Sequence, residues 1–346
     1  MPVVGYCVRG TRNEVPMAQR KIPSAVRLPF RTPSNQKKPK VVIFYDRDGW
    51  AFHNISNECL KHLKDEFEIS AKPFWPKEPD FQDVDVAILM WYGYSHLFDK
   101  TSSTCRKITC VYDESLWPIK PNFRKQFEEA ARKSHLLMGS SPNIERQLRQ
   151  TCSHPVLPCY DGVSPQKFPF QSARRELLAG HPLRVGWAGN SDPGAHGDNK
   201  GLHLIKQAAA EMTGVEFVIQ DRRGKKVWIP HDQMHEWYRD LDIVLCMSRQ
   251  EGTPNPILEA SSCGRAWIST DVGVVRAMSM SAPPGTRPGM IISRQVNALK
   301  HAINYLDQHR DEVVQMGLNG RKAIESEWTW EKKVNQFRHA IREVLK

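Results

Sequence analysis

The densest chemistry in this chain runs from Glu251 to Glu259, Glu-Gly-Thr-Pro-Asn-Pro-Ile-Leu-Glu. Asn255 before Pro256 predicts a helix start, with Asn255 as the cap and Pro256 as the first helical residue. A helix amino end carries unpaired N–H groups and about half a positive charge, so it attracts phosphate. Gly252, Thr253, Pro254, Asn255, Pro256 and Ile257 form the candidate anion side, with Gly252 letting backbone approach a ligand closely. A carboxylate repels phosphate but accepts hydrogen bonds from hydroxyls. Glu251, just before this side, and Glu259, one turn into the helix, therefore suit a ligand bearing both groups, such as a nucleotide sugar. The same residues also fit an ordinary helix start with one acid stabilising the dipole, and the stretch alone leaves both readings open.

A second cluster follows Leu183–Gly189. It is a glycine-rich loop, Asn190-Ser-Asp-Pro-Gly194-Ala-His-Gly197-Asp-Asn-Lys200-Gly201. Glycines let amides reach phosphate oxygens, and Lys200 at the following helix start supplies a point charge. Gly189, Asn190 and Lys200 are candidates here, as is Arg222 in the later loop Asp221-Arg222-Arg223-Gly224. A plain surface turn is the alternative for the glycine loop. Toward the N-terminus, Asp46-Arg47-Asp48-Gly49 leads into a helix from Trp50. Gly49, Trp50, His53 and Tyr92 are candidates for an acceptor side, although His53 equally suits a packed helix position.

Alternating strands and helices must position these residues. Ile243–Met247 predicts a buried strand, followed by the acid-bearing loop, a helix from Pro256 to Cys263, a left-handed stop at Gly264 and a strand Ala266–Thr270. The N-terminal half repeats the pattern, with strands at Val41–Tyr45, Glu68–Ala71, Val84–Trp91, Ile108–Tyr112 and Leu136–Ser141. In such doubly wound units, ligands bind beyond the carboxyl ends of the strands. The expected divisions are a basic arm over 1–39, a domain over 40–170, a second over 171–327 whose first residues are a linker, and a terminal helix over 328–346.

Glu251-Gly-x-Pro-x-Pro-Ile-Leu-Glu259-Ala, then Cys263-Gly264 and Ser269-Thr270-Asp271-Val272-Gly273, resemble the signature of the family 4 retaining glycosyltransferases. Lys200-Gly201 matches as well. The resemblance implies an α/β fold with two Rossmann-like domains facing across a cleft, GT-B. It implies a UDP-sugar or GDP-sugar donor, with no cofactor and no metal. By resemblance, Glu251 holds donor-sugar hydroxyls, Glu259 the ribose, and Lys200 the diphosphate, with Glu251, Lys200 and Asp113 as catalytic candidates. The chain departs from the family at Asn190, where an Arg is usual, at Tyr112-Asp113, where His-Asp is usual, and at Ala266-Trp267 and Val274–Ala277.

Composition sets the outer bounds. The chain has 346 residues, room for two domains, and 40% hydrophobic and 25% charged residues, the profile of a globular protein. No apolar run is long enough to span a membrane. Eight scattered cysteines without a C-x-x-C pair predict reduced thiols and a cytoplasmic location. The formal charge is +11, and residues 1–40 hold nine Lys or Arg against Glu14 alone. Such an arm is either a solvated tail or a grip on a polyanion. The acceptor is accordingly open between a nucleic acid, such as hydroxymethylated DNA bases, and an acceptor glycan or lipid-linked glycan of the cell envelope. A degenerate nucleotide-sugar-binding protein without activity is the remaining alternative.

Overall fold

The computed structural model describes residues 37–74, 83–113, 121–191, 198–223 and 229–346. Most of the basic arm, Gly194 and Gly197 of the glycine loop, Gly224 and Trp117 lie outside these residues. The N-terminal lobe comprises β1 (Lys40–Tyr45), α1 (Ala51–Leu63), β2 (Glu68–Pro73), β3 (Val86–Leu89), β4 (Arg106–Val111), α2 (Pro121–Lys133), β5 (Leu136–Gly139), α3 (Pro142–Thr151) and β6 (Val156–Pro158). Its six strands are ordered β2-β1-β3-β4-β5-β6, and every pairing is parallel. The C-terminal lobe comprises α4 (Arg175–Leu178), β7 (Leu183–Gly189), α5 (Leu202–Glu211), β8 (Val215–Asp221), α6 (Met234–Arg239), β9 (Ile243–Cys246), α7 (Asn255–Ser262), β10 (Ala266–Thr270), α8 (Val275–Met280), β11 (Met290–Ile292), α9 (Val296–Gln308) and α10 (Arg310–Ala323). Its strands are ordered β11-β10-β9-β7-β8, again all parallel. The chain ends in α11 (Trp330–Leu345).

Helices cover both faces of each sheet, which is why the strands read as unbroken apolar runs. In β1, Val41, Ile43 and Tyr45 point to one buried cluster while Val42 and Phe44 point to another. Successive strand residues face opposite ways, so both layers need apolar side chains. Helix α11 returns to the N-terminal lobe, where Val334, Phe337, Ile341 and Val344 join the layer that holds Ile55 and Leu63 of α1. Gly264 takes the expected left-handed conformation, with φ +75°, after α7.

The lobes are joined where the chain crosses between them twice. Val163 N donates to Trp328 O at 2.9 Å, and Trp330 N donates to Val163 O at 3.2 Å. Asp161, at the first crossing, is buried, and desolvation pushes its carboxyl up to about 7, with Tyr112 and Asn255 pulling back only in part. Its backbone N–H donates to Thr253 Oγ1 at 3.2 Å, which ties this crossing to the C-terminal lobe. The first residues of the C-terminal lobe, expected as a linker, are stapled down. The guanidinium of Arg265, itself buried, donates to the carbonyls of Tyr238, Arg239, Gln171 and Ser172 at 2.9–3.2 Å. Arg174 grips Asp242 with two bonds of 2.9 Å.

Two stability tests follow from these joints. Arg265→Met should cost about 3 kcal/mol, because four carbonyls, that of Tyr238 buried and the others partly so, lose a charged donor; urea unfolding measures it, and a loss below about 1 kcal/mol would show the staple to be dispensable. For Asp161 the folded carboxyl binds its proton more tightly than the unfolded one. Stability from this group is therefore full below pH 4 and is lost as pH rises toward 7. The stability gained by Asp161→Asn over wild type should be near zero at pH 4 and reach about 2–4 kcal/mol at pH 8. A difference that does not change with pH would contradict this.

Candidate active site

In the C-terminal lobe the strand order reverses between β7 and β9, and the loops leaving these two strands border a crevice. A cavity of about 310 Å³ lies there, with Asn190, Lys200, Glu251 and Gly252 on its C-terminal side and Tyr112 and Asp113 opposite. Gly201 turns the chain into α5 at φ +72°, where a β-carbon would stand 2.2 Å from Met247 O. This packing presses Lys200 against the loop after β9. Lys200 Nζ lies 2.6 Å from Glu251 Oε1, and Ser248 Oγ donates to the same oxygen at 2.7 Å. Burial lowers the lysine's proton affinity, but the adjacent Glu251 charge outweighs it and holds the amine above its ordinary value. Lys200 is thus a fixed cation. Asn199 braces the loop, accepting from Gln250 N at 3.2 Å and donating to Gln250 O at 3.1 Å. Arg294 does so from further off, donating to Met247 O at 3.0 Å and to Asp198 Oδ2 at 2.7 Å. Sequence reasoning named neither Asn199 nor Arg294, and the spacing of Arg294 from the loop carries no local signal.

The expected helix start is displaced. Helix α7 begins at Asn255, with Pro254 in the cap position and Pro256 inside the first turn. Asn255 is not the cap; its side chain turns to Asp161. Thr253 also engages Asp161, so the amino end of α7 meets the crossing segment. The large cavity reaches only as far as Gly252 along this stretch, and Thr253, Pro254, Asn255, Pro256 and Ile257 do not line it. Gly252, which lines the cavity, also makes a lobe contact: a β-carbon there would sit 2.3 Å from Ser140 Oγ of the other lobe.

The two glutamates face different spaces. Glu251 lines the large cavity. Glu259 borders a smaller one of about 50 Å³, together with Glu58, Asp161, Lys167 and His231. Both of its oxygens have partners: Tyr238 Oη donates to Oε2 at 2.7 Å, and His231 Nε2 lies 2.7 Å from Oε1. The Glu259 bond raises His231 above its ordinary value against the pull of desolvation. None of Tyr238, His231 and Asp161 is marked by the sequence as a candidate. Tyr238 is fully buried, but its hydroxyl is committed to Glu259.

The N-terminal candidates separate as well. Asp113 lines the large cavity. Tyr92 is buried edge-on against Phe127 and sends its hydroxyl toward Asp113 O at 3.4 Å, so it supports that loop and does not line the cavity. His53 is a packed residue: Nδ1 accepts from Gly49 N at 2.9 Å, Nε2 lies 3.0 Å from Asn57 Nδ2, and the ring stacks on Tyr45. Gly49 turns at φ +74°. Trp50 is 39% exposed and has the guanidinium of Arg47 at 4.2 Å and that of Arg222 at 5.4 Å, the latter from the C-terminal lobe. Gly189 ends β7, and its carbonyl accepts from Arg222 N at 2.9 Å.

Residues 202–339 match the family model described as glycosyl transferase-like. No curated protein matches the sequence. Among solved structures, the sucrose-phosphate synthase of Thermosynechococcus elongatus superposes with a TM-score of 0.71 at 12% identity, covering 89% of this chain and 99% of its own. Anabaena HepE, solved with UDP-glucose, gives 0.66 at 13% identity over 88% of this chain and 99% of its own. An alpha-glucosyltransferase solved with UDP and a 13-mer DNA containing an HMU base gives 0.58 at 12% identity over 90% of this chain and 100% of its own. The chain as a whole therefore has the two-lobed α/β architecture of the GT-B glycosyltransferases, and its residues 202–339 carry the glycosyl transferase-like family match.

Proposed function

We propose that this protein is a glycosyltransferase that moves a sugar from a UDP- or GDP-sugar to an acceptor hydroxyl, with retention at the anomeric carbon and without a metal. The observation that carries the reading is the Lys200–Glu251 pair at the reversal point of the C-terminal sheet, facing Asp113 across the large cavity. Lys200 neutralises the leaving diphosphate as the anomeric C–O bond breaks, while Glu251 accepts hydrogen bonds from the donor's hydroxyls. The acceptor oxygen bonds to the anomeric carbon on the same face, and its proton passes to the departing phosphate oxygen. Asp113, from the other lobe, orients the acceptor hydroxyl. Asn190 is an amide where the family has an arginine, so Lys200 carries more of the charge neutralisation. Glu259 takes the ribose hydroxyls.

The proposed acceptor is polyanionic, a nucleic acid with hydroxymethylated bases. Its support is the basic sequence of residues 1–40 and, separately, the exposed Trp50 with the guanidinium groups of Arg47 and Arg222 over its ring. The related alpha-glucosyltransferase was solved with DNA. Buried free thiols at Cys59, Cys110 and Cys159 suit a cytoplasmic setting. Glycan and lipid-linked acceptors form the other arms of the test.

Incubation with UDP- and GDP-sugars and each acceptor class should yield transfer, with slow donor hydrolysis in their absence. Lys200→Ala should lower turnover by about 10²–10³-fold. Nucleotide binding with neither transfer nor hydrolysis would reduce the protein to a binding module, and unchanged turnover in Lys200→Ala would remove that residue's role.

A further inference from the structure

We propose that His231 is a gate on the compartment that receives the nucleoside: it holds Glu259, and must release it for the ribose hydroxyls of a nucleoside diphosphate to bind. The inference rests on the glycosyltransferase reading and deepens it. Its basis is the asymmetry of the two partners of Glu259.

Tyr238 is fully buried and holds Oε2 from the protein side, so it has nowhere to go. His231 holds Oε1 from the cavity side, and its side chain is 46% exposed. It stands on the 3-10 turn His231–Gln233, which has no side-chain cap and leads directly into α6, and its ring meets Phe168 edge-on at 5.3 Å. Oε1 is thus the oxygen on the ligand side, and the imidazole takes one of its two acceptor positions while the Glu259 side chain is left only 9% exposed. The cavity beside it, about 50 Å³, holds a few waters but not a pentose. Swinging the turn outward frees the oxygen and enlarges the space together.

The gate titrates. Below its raised proton affinity, His231 is an imidazolium and its bond to Glu259 is charge-assisted; above it, the imidazole is neutral and the bond weaker. The surrounding charges are Glu259 from α7, the neighbouring Asp232, and Lys167 from the crossing segment, which works against the proton. Across the cavity stand Asp161 and Glu58, the latter paired with Lys167 at 3.0 Å. Nucleotide affinity should therefore rise from pH 6 to pH 8.

Calorimetric titration of UDP and of GDP into wild type, His231→Ala and His231→Gln at pH 6 and pH 8 tests this. The terminal phosphate of the ligand and Asp161 titrate in the same range, but their effects are common to all three proteins and cancel in the comparison. The ratio of Kd at pH 6 to Kd at pH 8 should be about tenfold larger in wild type than in either variant, since charged hydrogen bonds are worth about 1.5–3 kcal/mol. His231→Ala should bind more tightly than wild type at pH 6. His231→Gln keeps a donor toward Glu259 without a titrating proton, so its affinity should not follow the wild-type pH slope. Equal ratios in all three proteins, or weaker binding by His231→Ala at both pH values, would overturn the gate while leaving the enzyme reading intact. Failure of wild type to bind UDP or GDP at either pH would overturn both.

Discussion

A lysine held in a crevice needs a compensating charge, and the ion pair between Lys200 and Glu251 is the constraint on which the rest of this structure depends. The cation comes from the loop after β7 and the anion from the loop after β9, so the pair fixes two strand ends against each other. Gly201 makes the approach possible by packing without a side chain against Met247 O. Ser248 and Asn199 then leave the acid loop little freedom. A partly desolvated pair of this kind strengthens electrostatics at the mouth of the cavity, where water would otherwise screen them. It also means that an incoming anionic group meets a cation already positioned, with little reorganisation left to make.

The second constraint is the seam between the lobes. Gly252 comes close to Ser140, Thr253 accepts from Asp161, and the two crossings bond at Val163. Glu251 and Glu259 line different cavities, although only seven residues stand between them in sequence. The amino end of α7 therefore belongs to the seam, where Thr253 and Asn255 both engage Asp161.

Strand positions were legible because burial on both faces leaves a continuous apolar run, as in Val41–Tyr45 and Ile243–Cys246. The left-handed stop at Gly264 and the helix start after Gly201 were legible because a left-handed turn and a helix start have local signatures. The start of α7 was misplaced by one residue because Pro254, with no capping side chain, takes the cap position while Asn255 serves Asp161 instead. What local pattern could not show was pairing at long range. Glu259 looked available because its partners His231 and Tyr238 come from a different helix-turn unit, and Arg294 reaches the acid loop from beyond β11. Tyr92 opens a 3-10 helix after β3 and His53 lies in the first turn of α1, both past the carboxyl ends of strands. Only packing shows Tyr92 buried edge-on against Phe127 and His53 committed to Tyr45, Gly49 and Asn57.

The return of α11 to the first lobe has a consequence for how the chain matures. Val334, Phe337, Ile341 and Val344 complete a layer whose other members were laid down from residue 41 onward. As the polypeptide emerges from the ribosome, the C-terminal lobe can collect its own layers in order, whereas the N-terminal lobe waits with one face uncovered until the last helix arrives. Vectorial synthesis thus makes the first-made half the last to be sealed, and that open face is where a chaperone would find its substrate.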